Sequence, residues 1–363
     1  MGILFGILSF FSYISSVIRD KVKDMSKIKK YCLYSLGLIS IGFIVSVGIP
    51  ALIGGFFWVM LQMMRMEYHN PVLLKESVNG LNIKPDGIYV DVTFGGGGHS
   101  KEILSRLNDR GKLFAFDQDE DAQRNIIDDD RFTLIPQNFR FIKRYLRFYG
   151  VKKVDGILAD LGVSSHQFDS AARGFSTRFD AELDMRMNIG DAVSAYEVVN
   201  TYKEEELAQV LFQYGELRNS RALSREIVNA REDSPIKTSF QLKEVLQKFL
   251  PKPKEHKILA QIFQAIRIEV NQEMQVLKEF LLQTPEILKQ GGRLSFISYH
   301  SLEDRLVKRF IRSGLFEGEP EKDVFGNVSV PLKKIGKLIV PNQAEIKLNN
   351  RARSAKLRIA EKL

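Results

Sequence analysis

The chain has 363 residues, enough for two domains or one domain with a large insertion, and its formal charge of +9 is consistent with a polyanionic partner. A single cysteine, Cys32, excludes an internal disulfide framework. Five histidines, scattered at positions 69, 99, 166, 256 and 300, show no metal-ligand spacing, so a reducing compartment and no metal are expected.

Residues 1–18 read MGILFGILSFFSYISSVI, and residues 31–64 are again nearly free of charge, interrupted by Gly48-Ile49-Pro50; between them lies RDKVKDMSKIKK. The second run exceeds the roughly 20 residues that span a bilayer. Trp58 near its end suits a membrane interface. The positive-inside rule puts residues 19–30 in the cytosol, and a single pass afterwards would strand the rest of the chain outside. Two arrangements avoid this. One is a hairpin, with 31–48 going out and 51–64 returning, which anchors the chain on the cytoplasmic side of a membrane. The other is a native start at Met66. No small-residue cleavage pattern follows either run, which speaks against a signal peptide.

After Met66, short apolar runs alternate with amphipathic segments, the signature of βα units and a mainly parallel sheet. Strands are expected at 88–92, 112–116, 132–135, 154–159 and 293–298. The gap between Leu161 and Gly291 is too long for a crossover and mostly helical in period, so it holds an inserted helical domain. Thr201 with Glu204 forms a capping box that opens a helix carrying Leu207, Val210 and Leu211, ended near Gly215. Thr238 with Gln241 opens another, carrying Leu242, Val245 and Leu246 and closed by Pro251 and Pro253. Residues 257–281 read as one or two helices returning to the sheet. EDRLVKRFIRSG after Leu302 is a helix, and VSVP and AKLRI in the tail are strand-like pieces that finish the sheet's edge. The expected organisation is an apolar extension at 1–65, an α/β sheet domain in two parts at 66–168 and 266–363, and an inserted helical domain at 169–265.

Four consecutive glycines, residues 95–98, follow the first strand in VDVTFGGGGHSKEIL. In an open α/β sheet, ligands bind beyond the carboxyl ends of the strands, and glycines there let the main chain come close. A dinucleotide fingerprint would need glycine six positions on from Gly95; Ser100 stands there instead, which speaks against a membrane-anchored dehydrogenase. Asp117, in FAFDQD, lies near the roughly 20-residue offset at which an acid meets ribose hydroxyls. The alternative is that Asp117 caps the following helix, a task open also to Asp119 or Asp121. PQNF and DGILADLGVSSHQFD bring Asn138, Phe139, Asp160 and Gln167 to the same crevice, Phe139 either stacking on an adenine or packing in the core.

DVTFGGGGHS, FAFDQD, DLGVSSHQFD, ARGFS, LDMRM, ISYHSLEDRLVKRF and NNRARSAKLRIAEK, in that order over about residues 66 to 361, resemble the bacterial 16S ribosomal RNA cytosine N4-methyltransferases. That family is also called ribosomal RNA small subunit methyltransferase H. The resemblance implies a Rossmann-like class I methyltransferase sheet in a cytoplasmic enzyme. It implies transfer of a methyl group from S-adenosylmethionine to the exocyclic amine of a cytidine in the decoding region of 16S rRNA, within the small ribosomal subunit. DNA is not an implied partner. By motif, Gly97, Gly98 and His99 would contact the methionine end of the cofactor, Asp117 its ribose and Phe139 its adenine region. Asp160 and Gln167 would complete the pocket. Residues 1–65 have no counterpart in the family.

The lone pair of cytosine N4 is delocalised into the ring, so a hydrogen-bond acceptor on the amine would help it pyramidalise and lose its proton. Many amino-methyltransferases place Asp/Asn/Ser-Pro-Pro-aromatic after the fourth strand for this; here the run is Asp160-Leu161-Gly162-Val163. Asp160 is the candidate acceptor, the alternative being a cofactor ligand only. Ser298, Tyr299 and His300 follow the fifth strand, where they face the incoming base or, for His300, bond a neighbouring backbone. Arg173, Phe175, Arg178, Phe179 and Arg186 are candidates for the entrance that receives a splayed base. Lys347, Arg351, Arg353, Lys356 and Arg358 either contact phosphates or form a solvated charged face. The rivals are a non-catalytic RNA-binding or ribosome-assembly protein and a methyltransferase for DNA cytosine or a protein amide; LDMRM and SYHSLEDR favour the ribosomal enzyme.

Overall fold

The fold comes from a computed structural model that describes residues 71–363 apart from 165, 166, 169, 171, 172, 322–324, 326 and 327. The apolar runs and the candidate start at Met66 lie outside the described residues. Among the described residues no helix is long and apolar enough to cross a membrane.

The strands are β1 (Ile88–Asp91), β2 (Lys112–Phe116), β3 (Phe132–Ile135), β4 (Val154–Asp160), β5 (Leu288–Ser298), β6 (Leu332–Ile339) and β7 (Lys356–Lys362). They form one seven-stranded sheet in the order β3-β2-β1-β4-β5-β7-β6. The five strands from β3 to β5 are parallel, and β7 runs antiparallel to both β5 and β6. Strand order reverses between β1 and β4, which leaves a crevice at their carboxyl ends.

Helices α1 (Leu74–Gly80), α2 (Gly98–Leu104) and α3 (Ile142–Phe148) accompany the first strands. Between β4 and β5 come α4 (Ala195–Thr201), α5 (Glu204–Gln213), α6 (Ser220–Asp233), α7 (Ser239–Val245), α8 (Glu255–Val270) and α9 (Glu273–Ile287). α10 (Ser301–Ser313) follows β5, and α11 (Gln343–Leu348) precedes β7.

Side chains alternate across a strand, so neighbours on β1 serve opposite faces. Tyr89 packs with Val78 of α1, Ile103 of α2, Leu113 and Leu158. Val90 joins Phe114, Phe116, Phe296 and the inner faces of α3, α9 and α10. β4 is buried from Val154 through Ala159, as a strand covered on both faces requires. At Gly156 a Cβ would lie 2.9 Å from the Tyr89 ring, so a side chain there would collide with that buried ring. Each fully buried large apolar side chain contributes about 1.5–3 kcal/mol.

A separate buried cluster runs from Phe175 to Val270 and takes in the inner faces of α4 to α8. α8 crosses position 265 without a break, so its last turn still feeds that cluster through Ile266 and Val270. The residues 257–281 resolve into two helices, parted at Gln272, whose φ is 50°.

Two local expectations are corrected. Thr201 does not cap α5: its hydroxyl donates back to the Glu197 carbonyl at 2.7 Å and closes α4. Glu206 instead accepts from the Lys203 amide at 2.9 Å, so the acid sets the start of α5 from inside. Thr238 and Gln241 do form their capping box. In the tail AKLRI supplies β7, but the other strand is LKKIGKLI rather than VSVP. Lys333, Lys334 and Lys337 lie exposed on β6, the outermost strand, where charge discourages pairing with another chain.

Candidate active site

From the end of β1 the chain turns through Gly95 (φ 49°) and Gly97 (φ 74°), both in the left-handed region that favours glycine. A Cβ at Gly95 would meet nothing within 4 Å, so the backbone there borders open space. Gly98 begins α2, and a Cβ on it would lie 2.1 Å from Pro71 Cγ.

Asp117 Oδ2 accepts from the Gly95 amide at 2.7 Å, and its Oδ1 from the Asp119 amide at 2.9 Å. The acid that closes β2 therefore clamps the glycine turn after β1. Asn125 Nδ2 adds a bond to the Gly95 carbonyl at 3.0 Å. Asp119, not Asp117, caps the 3-10 turn Glu120–Asn125, accepting from the Asp121 amide at 3.1 Å. Burial pushes the Asp117 carboxyl up to about 6, against the pull of its two amide donors.

Asp91, fully buried at the end of β1, accepts from Ser100 Oγ at 2.7 Å and from the Thr93 amide at 3.1 Å. Burial pushes it up to about 6 as well. Thr93 Oγ1 accepts from the Asp160 amide at 2.7 Å, tying the first motif to the end of β4. Asp160 Oδ1 accepts from Tyr299 Oη at 2.8 Å, while Oδ2 lies 3.8 Å from His99 Nδ1. Its side chain is 22% exposed. Burial raises its carboxyl to about 7; Tyr299 opposes the rise, and the charges of Asp91 and Glu303 add to it. Burial lowers His99 to about 4, with the Val72 backbone opposing, so the ring is neutral at pH 7 and no ion pair with Asp160 exists there.

Gln167 is buried and donates from Nε2 to Asp119 Oδ2 at 2.6 Å, while its Oε1 accepts from the Ser164 amide at 3.0 Å. Asn138 Nδ2 donates to Gln118 Oε1 at 2.7 Å, joining the turns after β2 and β3. Phe139 sits edge-on to Phe280 with centroids 5.1 Å apart and is partly buried against the main core.

Three of the candidates for the base entrance are engaged elsewhere. Arg173 is buried and bonds Asp119 and Asp121, each at 3.3 Å, and the carbonyls of Arg186 and Met187. Phe175 belongs to the helical cluster, and Arg186 pairs with Asp184 at 2.8 Å. Only Arg178 and Phe179 stay outward, the guanidinium 5.8 Å from the ring centroid. In the tail, Arg358 and Lys356 are drawn to Asp304, at 2.7 and 3.5 Å, and Arg351 stacks over Phe168. Lys347 and Arg353 remain exposed.

His300 caps α10, its Nδ1 accepting from the Glu303 amide at 3.4 Å, the backbone role weighed for it from sequence. Glu273, His300 and Glu303 could offer ligand atoms within 4.8 Å of one another. However, both Glu273 oxygens are taken by Arg267, at 2.7 and 2.9 Å, and Glu303 Oε2 accepts from the Tyr299 amide at 2.9 Å. Sequence reasoning missed Asp91, Thr93 and Glu303 as parts of this site, and read Ser100 only as a departure from glycine. The available signal was a hydroxyl one turn into α2, within reach of an acid at the strand end.

Residues 66–363 match the model of the MraW methylase family. The chain is 71% identical over 301 residues to a ribosomal RNA small subunit methyltransferase H from Christiangramia forsetii, covering 83% of this chain and 100% of that one. The proteins of the same name from Flavobacterium johnsoniae and Bacteroides thetaiotaomicron are 72% and 56% identical, over 82% of this chain and 99% and 98% of theirs. With these motifs folded onto one crevice, the chain belongs to the MraW methylase family.

Proposed function

We propose that the chain transfers the methyl group of S-adenosylmethionine to the exocyclic N4 of a cytidine in the decoding region of 16S rRNA, presented within the small ribosomal subunit in the cytoplasm. Methylation of small-subunit rRNA with this cofactor accords with membership of the family. The residues fit the group: open space beside the Gly95 backbone, an acid at the end of β2, and buried amide and imidazole donors. Gly97, Gly98 and His99 would hold the methionine end, Asp117 the ribose and Phe139 the adenine region, with Gln167 and Asp160 closing the pocket. When bound, the cofactor supplies a methyl group on a strongly electrophilic sulfonium.

The protein's own work is to aim and deprotonate the amine. Asp160 accepts a hydrogen bond from N4–H, which favours a pyramidal nitrogen, and then holds the released proton at Oδ2. General-base assistance of this kind is worth about 10²–10⁴-fold. A carboxyl raised to about 7 exchanges its proton readily near neutral pH, so it can both take and release one. The target base has to be splayed from its stack to present the amine. Phe179 and, on the tail, Lys347 and Arg353 are exposed and would meet RNA, with the Arg178 guanidinium lying against the Phe179 ring. The segment 169–265 would serve as the inserted domain, its apolar cluster continuing through Ile266 and Val270 to the end of α8. A membrane contact through residues 1–65 is retained only as part of the hairpin arrangement.

The observation that supports this reading is that two distant motifs meet on one residue, Asp160: Thr93 from the first accepts from its backbone amide, and Tyr299 from SYHSLEDR donates to its carboxylate. The test is transfer of labelled methyl from S-adenosylmethionine to small subunits isolated from a strain lacking the enzyme. Label on a cytidine N4 supports the reading. Binding of subunits without label, when the cofactor is bound, supports the non-catalytic assembly protein instead.

A further inference from the structure

Beyond the cofactor crevice the molecule carries a polar groove, an exposed aromatic pair and a buried chain of contacts. The groove lined by Tyr202, Glu206, Gln209, Gln213, Tyr214 and Glu269 has a volume of about 370 Å³, but Tyr202 already bonds Glu269 at 2.9 Å and most of its rim is solvated. The exposed pair Phe148 and Tyr149 beside Arg147 lies at the opposite end of the sheet from the crevice. The third is the buried chain of contacts that ends on Asp160.

We infer that Tyr299 is a positioning residue for methyl transfer, holding the Asp160 carboxylate so that Oδ2 is the oxygen left for the target amine. The inference rests on the reading of Asp160 as acceptor. Tyr299 Oη donates to Oδ1 at 2.8 Å, and Oδ2 has no donor within hydrogen-bond distance among the described residues. The tyrosine is itself anchored. Glu303, buried in the first turn of α10, accepts from its backbone amide at 2.9 Å. Burial works against the charge on Glu303, but His300, that amide and Arg267 together hold its carboxyl below the ordinary glutamate value. Arg267 is fixed in turn by Glu273 at 2.7 Å, so the last residues of α8 and the first of α9 brace the same point. On the other side, Gly162 (φ 98°) places the backbone after Asp160 where a Cβ would come 3.5 Å from the Tyr299 ring.

The motifs DLGVSS and SYHSLEDR, 139 positions apart at their contact, thus build one device. Burial, with Asp160 beside it, pushes the Tyr299 hydroxyl well above its ordinary value, so it remains a donor at every working pH. The titratable groups around Asp160 are Asp91 on β1, His99 on α2, Tyr299 after β5 and Glu303 on α10. Of these, Tyr299 is the one whose bond favours the ionised carboxylate.

The experiment is the pH profile of single-turnover methyl transfer by the full chain carrying Tyr299→Phe, with S-adenosylhomocysteine affinity measured by calorimetry as the control. The expected result is unchanged affinity, a rate about tenfold or more lower, and an acid limb moved to higher pH. If Tyr299→Phe does not fold, 3-fluorotyrosine at position 299 keeps the shape and strengthens the donor, and it should move the limb to lower pH. Asp160→Asn separates the two levels. If it abolishes transfer while the variant at 299 leaves rate and limb unmoved, the positioning role is overturned and the acceptor reading stands. If Asp160→Asn retains the wild-type rate, the acceptor reading fails and the positioning role falls with it.

Discussion

Arg173→Ala is the substitution whose effect can be worked most fully from the structure. Arg173 and Asp119 are 9% and 8% exposed, so both charges sit largely out of water. Removing one partner of a buried ion pair costs about 3–5 kcal/mol, because the other is left uncompensated. Asp119 would keep Gln167 Nε2 at 2.6 Å and the Asp121 amide at 3.1 Å, which points to the low end, about 3 kcal/mol. The carbonyls of Arg186 and Met187 would lose their donor as well, so little of that cost is recovered. A domain of this size loses roughly 2–4 °C of melting temperature per kcal/mol, so a fall of about 6–12 °C is expected. Urea unfolding should show a lower midpoint with an unchanged slope. The lost contacts join the turn after β2 to the loop that carries Gln167, so S-adenosylhomocysteine affinity should fall too. A loss below about 1 kcal/mol, the range of an exposed pair, would refute the argument that this guanidinium is the pin between the two segments.

Other outcomes follow from the same geometry. Asp117→Ala frees the Gly95 and Asp119 amides along with any ribose contact, and calorimetry should show S-adenosylhomocysteine bound about 10- to 100-fold more weakly; an unchanged affinity would remove the ribose role. With Asp160 near 7, single-turnover transfer should rise as pH increases through 7, whereas a flat profile between pH 6 and 8 would exclude it as the acceptor. Asp91, raised from 3.8 to about 6, binds its proton more tightly when folded than when unfolded. Its contribution to stability is therefore complete below 3.8 and is lost as pH rises through 6, so Asp91→Asn should flatten the melting temperature between pH 4 and 7 relative to wild type. Gly98→Ala puts a methyl 2.1 Å from the rigid Pro71 ring and should cost about 1–3 kcal/mol by thermal unfolding, despite alanine's better helix propensity.

The five parallel strands could be read from the sequence because each contains a short apolar run bounded by turn residues, a local signal that burial on both faces enforces in the central strands β1 and β4. The glycine turn and Asp117 were legible for a related reason: spacing along the chain translates directly into position at the strand ends. β6 escaped, since an exposed edge strand rich in lysine lacks that pattern. Capping failed at Thr201 and held at Thr238 because a threonine three residues before a glutamate or glutamine can as well end one helix as begin the next.

What the sequence by itself determined was the order of the elements, the crevice they share and the chemistry of the acids placed around it. Only the tertiary structure decided which of those groups are neutralised and which are left to act. Arg173 is spent on Asp119, Arg358 on Asp304, and Asp160 takes the Tyr299 hydroxyl on Oδ1 while Oδ2 faces the neutral His99 ring at 3.8 Å. Those pairings join residues from 54 to 139 positions apart, and no local propensity or periodicity encodes a contact whose energy exists only after the chain has closed around it.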